Sequence, residues 1–306
     1  MKRLLPAAAL LFAVLSAPAQ PRVVQERSSD GKSVSFILTG KTEPGTATVL
    51  LRFTELRNCV GAGPGVHRYA VRNDNARFLT LRSQDMTQPV GFGYSSRVVP
   101  VPVDPRHVDT NFVYRMPCAA GRPVKVVRTV DVLDRYTKKP DDPKTELGFA
   151  FQLKQGDTLY AMRRGVVRKI RIPEPGLEEV RFTTRTPSLE IEHPDGTIAR
   201  YITFDAANLL VGEGDEVLPS TPLALSGTLD GEHYRLSVQI YWAETNPEGT
   251  WERDYIRFRR YFPRFRTTDG DLVPESRGTY TPLVDEELVA CELTKKELKR
   301  RSATRK

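Results

Sequence analysis

Residues 46–56 read Thr-Ala-Thr-Val-Leu-Leu-Arg-Phe-Thr-Glu-Leu, beginning with polar and apolar residues in turn and rich in β-branched types. Alternation with a period of two places one set of side chains on each face of an extended strand. Shorter runs of similar character follow at 78–81, 97–101, 110–114 and 123–131. Between them lie Gly61-Ala62-Gly63-Pro64-Gly65, Arg72-Asn73-Asp74-Asn75 and Val103-Asp104-Pro105, compositions that favour turns. Short strands with regular turn signals predict a β-sandwich over 20–133, immunoglobulin-like in its pattern.

The pattern breaks at 134–145, where Lys138-Lys139-Pro140-Asp141-Asp142-Pro143-Lys144 reads as a linker. Strand character resumes from 146. Leu189-Glu190-Ile191-Glu192 alternates, turns at His193-Pro194-Asp195-Gly196 and returns through Thr197-Ile198-Ala199-Arg200-Tyr201. A second β domain is expected over 146–283, with a loop-rich extension after 243 that holds a Tyr/Phe/Arg cluster. Residues 284–306 form a basic terminal segment. Residues 285–301 read as one short helix with Val284, Leu288 and Cys291 on one face and basic residues near its end, docked on the domain before it. The predicted class is therefore all-β, two sandwiches and a short C-terminal helix.

Lys2 and Arg3, an apolar run over 4–15 and the small residues Ala17-Pro18-Ala19 have the order of a secretory signal peptide. The run is too short to span a bilayer comfortably. Residues 1–19 are set apart on this basis. The mature chain is expected in the periplasm or on the outer surface, with no transmembrane segment. The formal charge of +8 is concentrated in part in Lys295-Lys296-Glu297-Leu298-Lys299-Arg300-Arg301. Such charge attracts anionic polymers, including acidic envelope glycans. Nucleic acid is excluded as the expected partner by export and by the lack of an aromatic stacking motif. The three cysteines are Cys59, Cys118 and Cys291. In an exporting pathway a Cys59–Cys118 disulfide is a candidate, two reduced buried thiols being the alternative. No nucleophile elbow, Walker loop or dinucleotide fingerprint is present.

Eight stretches occur in one order: Gly148-Phe149-Ala150-Phe151, Gly156-Asp157-Thr158-Leu159-Tyr160-Ala161, Arg164-Gly165-Val166-Val167, 189–196, Arg200-Tyr201-Ile202-Thr203, 211–217, Leu225-Ser226-Gly227 and 231–236. Together they resemble the LytM/lysostaphin-type endopeptidases, metallopeptidase family twenty-three, whose domain is a β-sandwich called the duplicated hybrid motif. The resemblance covers about a third of the chain and implies that fold for the second domain. Glycines in units such as Gly214-Asp215-Glu216-Val217 and Arg164-Gly165-Val166-Val167 are expected to supply the positive φ of tight hairpins.

The resemblance also implies where zinc ligands would stand. Active relatives carry His-x-x-x-Asp in the first stretch, His-x-His in the last and a further His after Tyr-x. Here those positions hold Glu146 and Ala150, then His233 and Arg235, then Thr203. Only His233 survives, at a position that is catalytic in relatives and not a ligand, so it is vestigial. Catalytic zinc needs about three protein ligands. Ala150 has no lone pair to give, and Arg235 is a permanent cation. No metal or other cofactor is therefore expected, and Glu146 and Arg235 are expected to pair as ions where relatives hold metal. His193 is read as a surface turn residue. The functional expectation is a non-catalytic cell-envelope module whose cleft (Glu146, Ala150, Thr203, His233, Arg235) binds cell-wall peptide or glycan, or regulates a cell-wall hydrolase. The alternatives are an active zinc endopeptidase cutting peptidoglycan cross-bridges and a purely structural surface protein.

Overall fold

The computed structural model describes residues 20–129, 148–173, 186–228 and 231–304. The segment 1–19, the whole of the expected linker 134–145 and Glu146 lie outside the described residues. The chain forms two units, one of Val49–Val98 with the described residues up to Thr42, the other of Glu43–Thr48 with everything from Val99 onward.

The first unit is built from β1 (Arg22–Arg27), β2 (Ser33–Thr39), β3 (Ala47–Arg57), β4 (Gly65–Val71), β5 (Ala76–Arg82) and β6 (Gly91–Val99). They make two three-stranded sheets, ordered β1-β2-β5 and β4-β3-β6. Phe36 and Leu38 from one sheet and Val49, Leu51 and Phe53 from the other are fully or almost fully buried. Phe36 meets Phe53 at 5.9 Å and Tyr94 at 5.1 Å, ring edges against faces, so aromatic packing joins β2 to β3 and β6.

The second unit begins earlier than the sequence suggests. β7 (Val113–Tyr114) and β8 (Val124–Arg128) precede the expected boundary, and neither pairs within the first unit. Tyr114, Met116, Val124 and Val126 are buried in the core of the second unit, which holds these strands to it in spite of the charged, proline-bearing stretch that follows. The other strands are β9 (Gly148–Leu153), β10 (Thr158–Tyr160), β11 (Gly165–Arg171), β12 (Ser188–Glu192), β13 (Ile198–Ile202), β14 (Phe204–Leu209), β15 (Glu216–Val217), β16 (Pro222–Thr228), β17 (Tyr234–Thr245), β18 (Ile256–Tyr261), β19 (Arg264–Thr267), β20 (Gly270–Leu272) and β21 (Thr279–Tyr280). One sheet runs β15-β11-β12-β13-β17-β9-β8-β21, and β16 links β10 and β14 to it through β17. Between these layers lie Phe149, Phe151, Leu189, Ile191, Ala199, Tyr201, Leu236, Val238 and Ile240 from the long sheet, with Leu159, Phe204, Leu223 and Ala224 from the other strands. The all-β class predicted from alternation is the observed one.

Two glycines act through space and not through φ. A Cβ on Gly165 would stand 2.5 Å from the Glu192 carbonyl oxygen, and one on Gly227 would stand 2.5 Å from the Phe204 carbonyl carbon. Only a residue without Cβ allows these backbones so close. Gly214, by contrast, has the positive φ expected of a hairpin, 95°.

The terminal helix is two helices. α1 (Glu286–Ala290) is capped by the Asp285 carboxylate, which accepts from Leu288 N–H, and α2 (Lys295–Thr304) begins afresh. Thr294 and Glu297 form a reciprocal box: the Thr294 N–H donates to the Glu297 carboxylate at 2.7 Å, and the Glu297 N–H donates to Thr294 Oγ1 at 3.3 Å. That Thr-x-x-Glu signal starts a new helix inside a stretch whose periodicity reads as continuous.

Candidate functional site

The long sheet turns one face to the core and the other away, and Ala150 and Arg235 fall on the second. In β9 the Phe149 and Phe151 rings point inward, so Ala150 between them lies on the outer face, half-buried. In β17 Leu236, Val238 and Ile240 are inward, which puts Arg235, Ser237 and Gln239 on the outer face. The register sets Ala150 opposite Ser237 and Gln152 opposite Arg235. On the other side of β17, Ile202 stands opposite Ser237 and Arg200 opposite Gln239. Ala150 and Arg235 are therefore diagonal neighbours across two paired strands. His233 lies just before β17 and is exposed, as is Arg235.

Thr203 follows β13 directly with φ of 73°, and its N–H donates to the Pro187 carbonyl at 3.0 Å. It is buried. A β-branched residue in that conformation is strained, so the surrounding turn holds it there. Of the five cleft candidates, Ala150 and Arg235 lie on this face, His233 lies just before β17, Thr203 is buried in the turn after β13, and Glu146 lies outside the described residues.

Two of the three positions that the resemblance matches to zinc ligands, Ala150 and Arg235, carry no ligand group. Ala150 offers no lone pair, Thr203 offers a neutral hydroxyl, and Arg235 brings a fixed positive charge. Further along the same face the charges are organised for ion pairing. Glu190 lies 3.6 Å from Arg168 and 3.8 Å from Arg200. Arg168, itself buried, also reaches Glu192 and Glu43 at 3.8 Å and donates to the Pro100 carbonyl. The Glu192 carboxylate accepts from Thr46 N–H at 2.8 Å.

Sequence reasoning missed the most heavily bonded charge of the unit. Arg163, with a side chain only 4% exposed, pairs with Asp195 at 2.7 Å and with Glu292 at 2.7 Å. Its guanidinium also donates to Tyr114 Oη at 3.2 Å and lies 3.7 Å from the centre of the Phe112 ring. Tyr114 Oη is 2.8 Å from Tyr261 Oη. Arg163 falls in a connecting loop, where no periodicity marks an inward residue.

His193 is a correction. The sequence places it on a surface turn, yet the residue is 2% exposed. The loop through Arg163 and Arg164 covers it, and its Nδ1 donates to the Arg164 carbonyl at 2.7 Å. That bond fixes the neutral tautomer and leaves Nε2 buried with no hydrogen-bond partner. Burial first, then the charge of Arg163, pull its pKa down to about 3.

The cysteines are free thiols. Of the two alternatives left open, the reduced one is observed: the candidate Cys59–Cys118 bridge is not formed. Cys118 belongs to the buried core of the second unit, whereas Cys59 belongs to the first. Burial pushes the Cys118 thiol up to about 12, against the opposing charge of Arg115. Among the described residues no three His, Cys, Asp or Glu side chains gather as a metal site, and no helix is long and apolar enough to cross a membrane.

No family model matches the chain, and no curated protein matches it. Several solved structures do. Helicobacter pylori Csd3 is 10% identical over 92% of this chain and 82% of that one, with a TM-score of 0.32. A zinc containing peptidase from Vibrio cholerae is 13% identical over 74% and 84%, TM-score 0.26. A Ruminococcus gnavus chain named for glycyl-glycine endopeptidase LytM is 16% identical over 44% of this chain, TM-score 0.29, and the match spans 53% of that chain, about half its length. These likenesses assign no role to any residue here.

Proposed function

We propose that the chain is an exported cell-envelope protein whose second unit is a peptidase-like module without hydrolytic chemistry, holding cell-wall peptide or glycan, or a cell-wall hydrolase, against the outer face of its long sheet. One observation carries the reading: the β9–β17 register makes Ala150 and Arg235 diagonal neighbours on that face. Where relatives would gather a dication, this chain presents a methyl group and a guanidinium. A guanidinium on a sheet face suits a carboxylate, the group that peptide stems and acidic glycans both carry. A metal would be the group to bring water near neutral pKa, and the methyl of Ala150 and the guanidinium of Arg235 offer no substitute for it.

The test is sedimentation of the purified chain with insoluble peptidoglycan, alongside metal analysis and a cross-bridge cleavage assay. The expected result is co-sedimentation that weakens in Arg235→Ala, with no cleavage. Stoichiometric zinc with turnover abolished by chelation overturns the reading in favour of an active endopeptidase. Failure to sediment, with no turnover, leaves only a structural role.

A further inference from the structure

A separate feature lies in the first unit. Where β4 leaves one sheet and β5 enters the other, the connecting turn frames a cavity of about 350 Å³ lined by Arg68, Tyr69, Arg72, Asn73, Arg77 and Phe78 among its residues. The lining contains three arginines and no carboxylate. Tyr69 and Phe78 approach at 5.1 Å with planes inclined by 44°, which makes a half-buried aromatic wall. The acid of the turn, Asp74, accepts from the Lys41 N–H at 2.9 Å and from the Asn75 amide at 3.0 Å. Arg77 lies 4.0 Å from Glu26, and both side chains are more than half exposed. A pair so open is weak and is readily exchanged for another anion.

We infer that this cavity binds a sugar acid, a pyranose bearing a carboxylate or a phosphate. Guanidinium forks match both anions with paired hydrogen bonds. The aromatic wall suits the C–H face of a sugar ring, and Asn73 offers both a donor and an acceptor to ring hydroxyls. The volume is at the lower end of small-molecule sites, enough for one ring and too small for a folded partner. The inference is independent of the peptidase-like reading, since no residue of the second unit lines the cavity.

The experiment is calorimetric titration of the full chain with glucuronate, glucose 6-phosphate, glucose and inorganic phosphate. Glucuronate and glucose 6-phosphate are expected to bind, and their relative affinities tell the carboxylated from the phosphorylated source. Glucose is expected to give no heat. Arg72→Gln with Arg77→Gln is expected to weaken binding at least about tenfold, as loss of charged hydrogen bonds does. Tyr69→Leu, which keeps every arginine, is expected to weaken the sugar acids and leave any phosphate binding unchanged. Inorganic phosphate binding as tightly as the sugar acids overturns the inference, because the ring then contributes nothing. So does the absence of binding by both sugar acids.

Discussion

Arg163 and Glu292, 129 positions apart, meet fork to fork: Nε stands 3.0 Å from each carboxylate oxygen and Nη2 is 2.7 Å from Oε1. Arg163 also holds Asp195, so one buried cation satisfies two acids from different parts of the second unit. Arg164 repeats the pattern with Glu297, whose carboxyl is drawn down to about 2 by that guanidinium and by Thr294. Breaking a buried pair strands the remaining charge at a cost of about 3–5 kcal/mol. Arg163→Met is expected to lower the chemical-denaturation free energy by that order. Glu292→Gln should remove the fork while leaving Asp195 paired, and so cost less. Hydrogen exchange in the second variant should rise first in α1 and α2, because Leu288 and Val289 are the buried apolar residues of these helices.

Acidification should act through His193. Its pKa near 3 in the folded chain lies well below the ordinary 6.5, so between those values only the unfolded chain takes up the proton. Stability present above pH 6.5 is then lost as pH falls toward 3, by about 1.4 kcal/mol per unit for one proton. Asp195, lowered by Arg163 against the opposing effect of its burial, adds a loss of the same sign at the acid end. Urea midpoints at pH 7 and pH 4.5 are expected to differ more for the wild type than for His193→Gln. Equal pH dependence in the two proteins excludes His193 as the titrating group.

These two residues also mark where the sequence stopped being informative. Alternation located the strands around Leu189, Ile191, Ala199 and Tyr201, because burial on one sheet face writes a period of two into the chain. Ala150 and Arg235 were grouped by the resemblance and by no local repeat; the strand register sets them on one face. Arg163 and His193 lie in loops, where burial follows from which segments pack over them and leaves no repeat. The boundary was misplaced for a related reason: β7 pairs with β19 and β8 with β9, and such distant partners are invisible locally. The helix break at Thr294 was legible, since Thr-x-x-Glu stands in the sequence, but the apolar spacing of Val284, Leu288 and Cys291 masked it.

Ser220 sits at φ 80° in the turn closed by the Thr221 N–H to Leu218 carbonyl bond of 3.0 Å. Pro219 occupies the second position, and the third position of such a turn favours glycine. Ser220→Gly is expected to raise stability by up to about 1 kcal/mol by removing the left-handed strain. A lower melting temperature would show that the serine side chain contributes more than the strain costs.

The proposed Glu146–Arg235 pair is open to a double-mutant cycle with Glu146→Gln and Arg235→Gln. Arg235 is exposed, so coupling should be modest, on the order of 0.2–1 kcal/mol, and should fade at high salt. Zero coupling at low salt removes the pair.

Free thiols predict that Ellman's reagent titrates all three cysteines in denatured, unreduced protein. In the native state Cys118 should lag behind, because it is buried and its thiol is held protonated. A Cys59–Cys118 bridge would leave one reactive thiol.

The short run Glu43–Thr48 belongs to the second unit although residues on both sides of it belong to the first. A gene fragment started at codon 99 would thus encode Glu192 without its Thr46 donor and Arg168 without Glu43. A fragment begun there is expected to be less stable than the same residues in the whole chain, since the Glu192 carboxylate and the buried Arg168 each lose a partner.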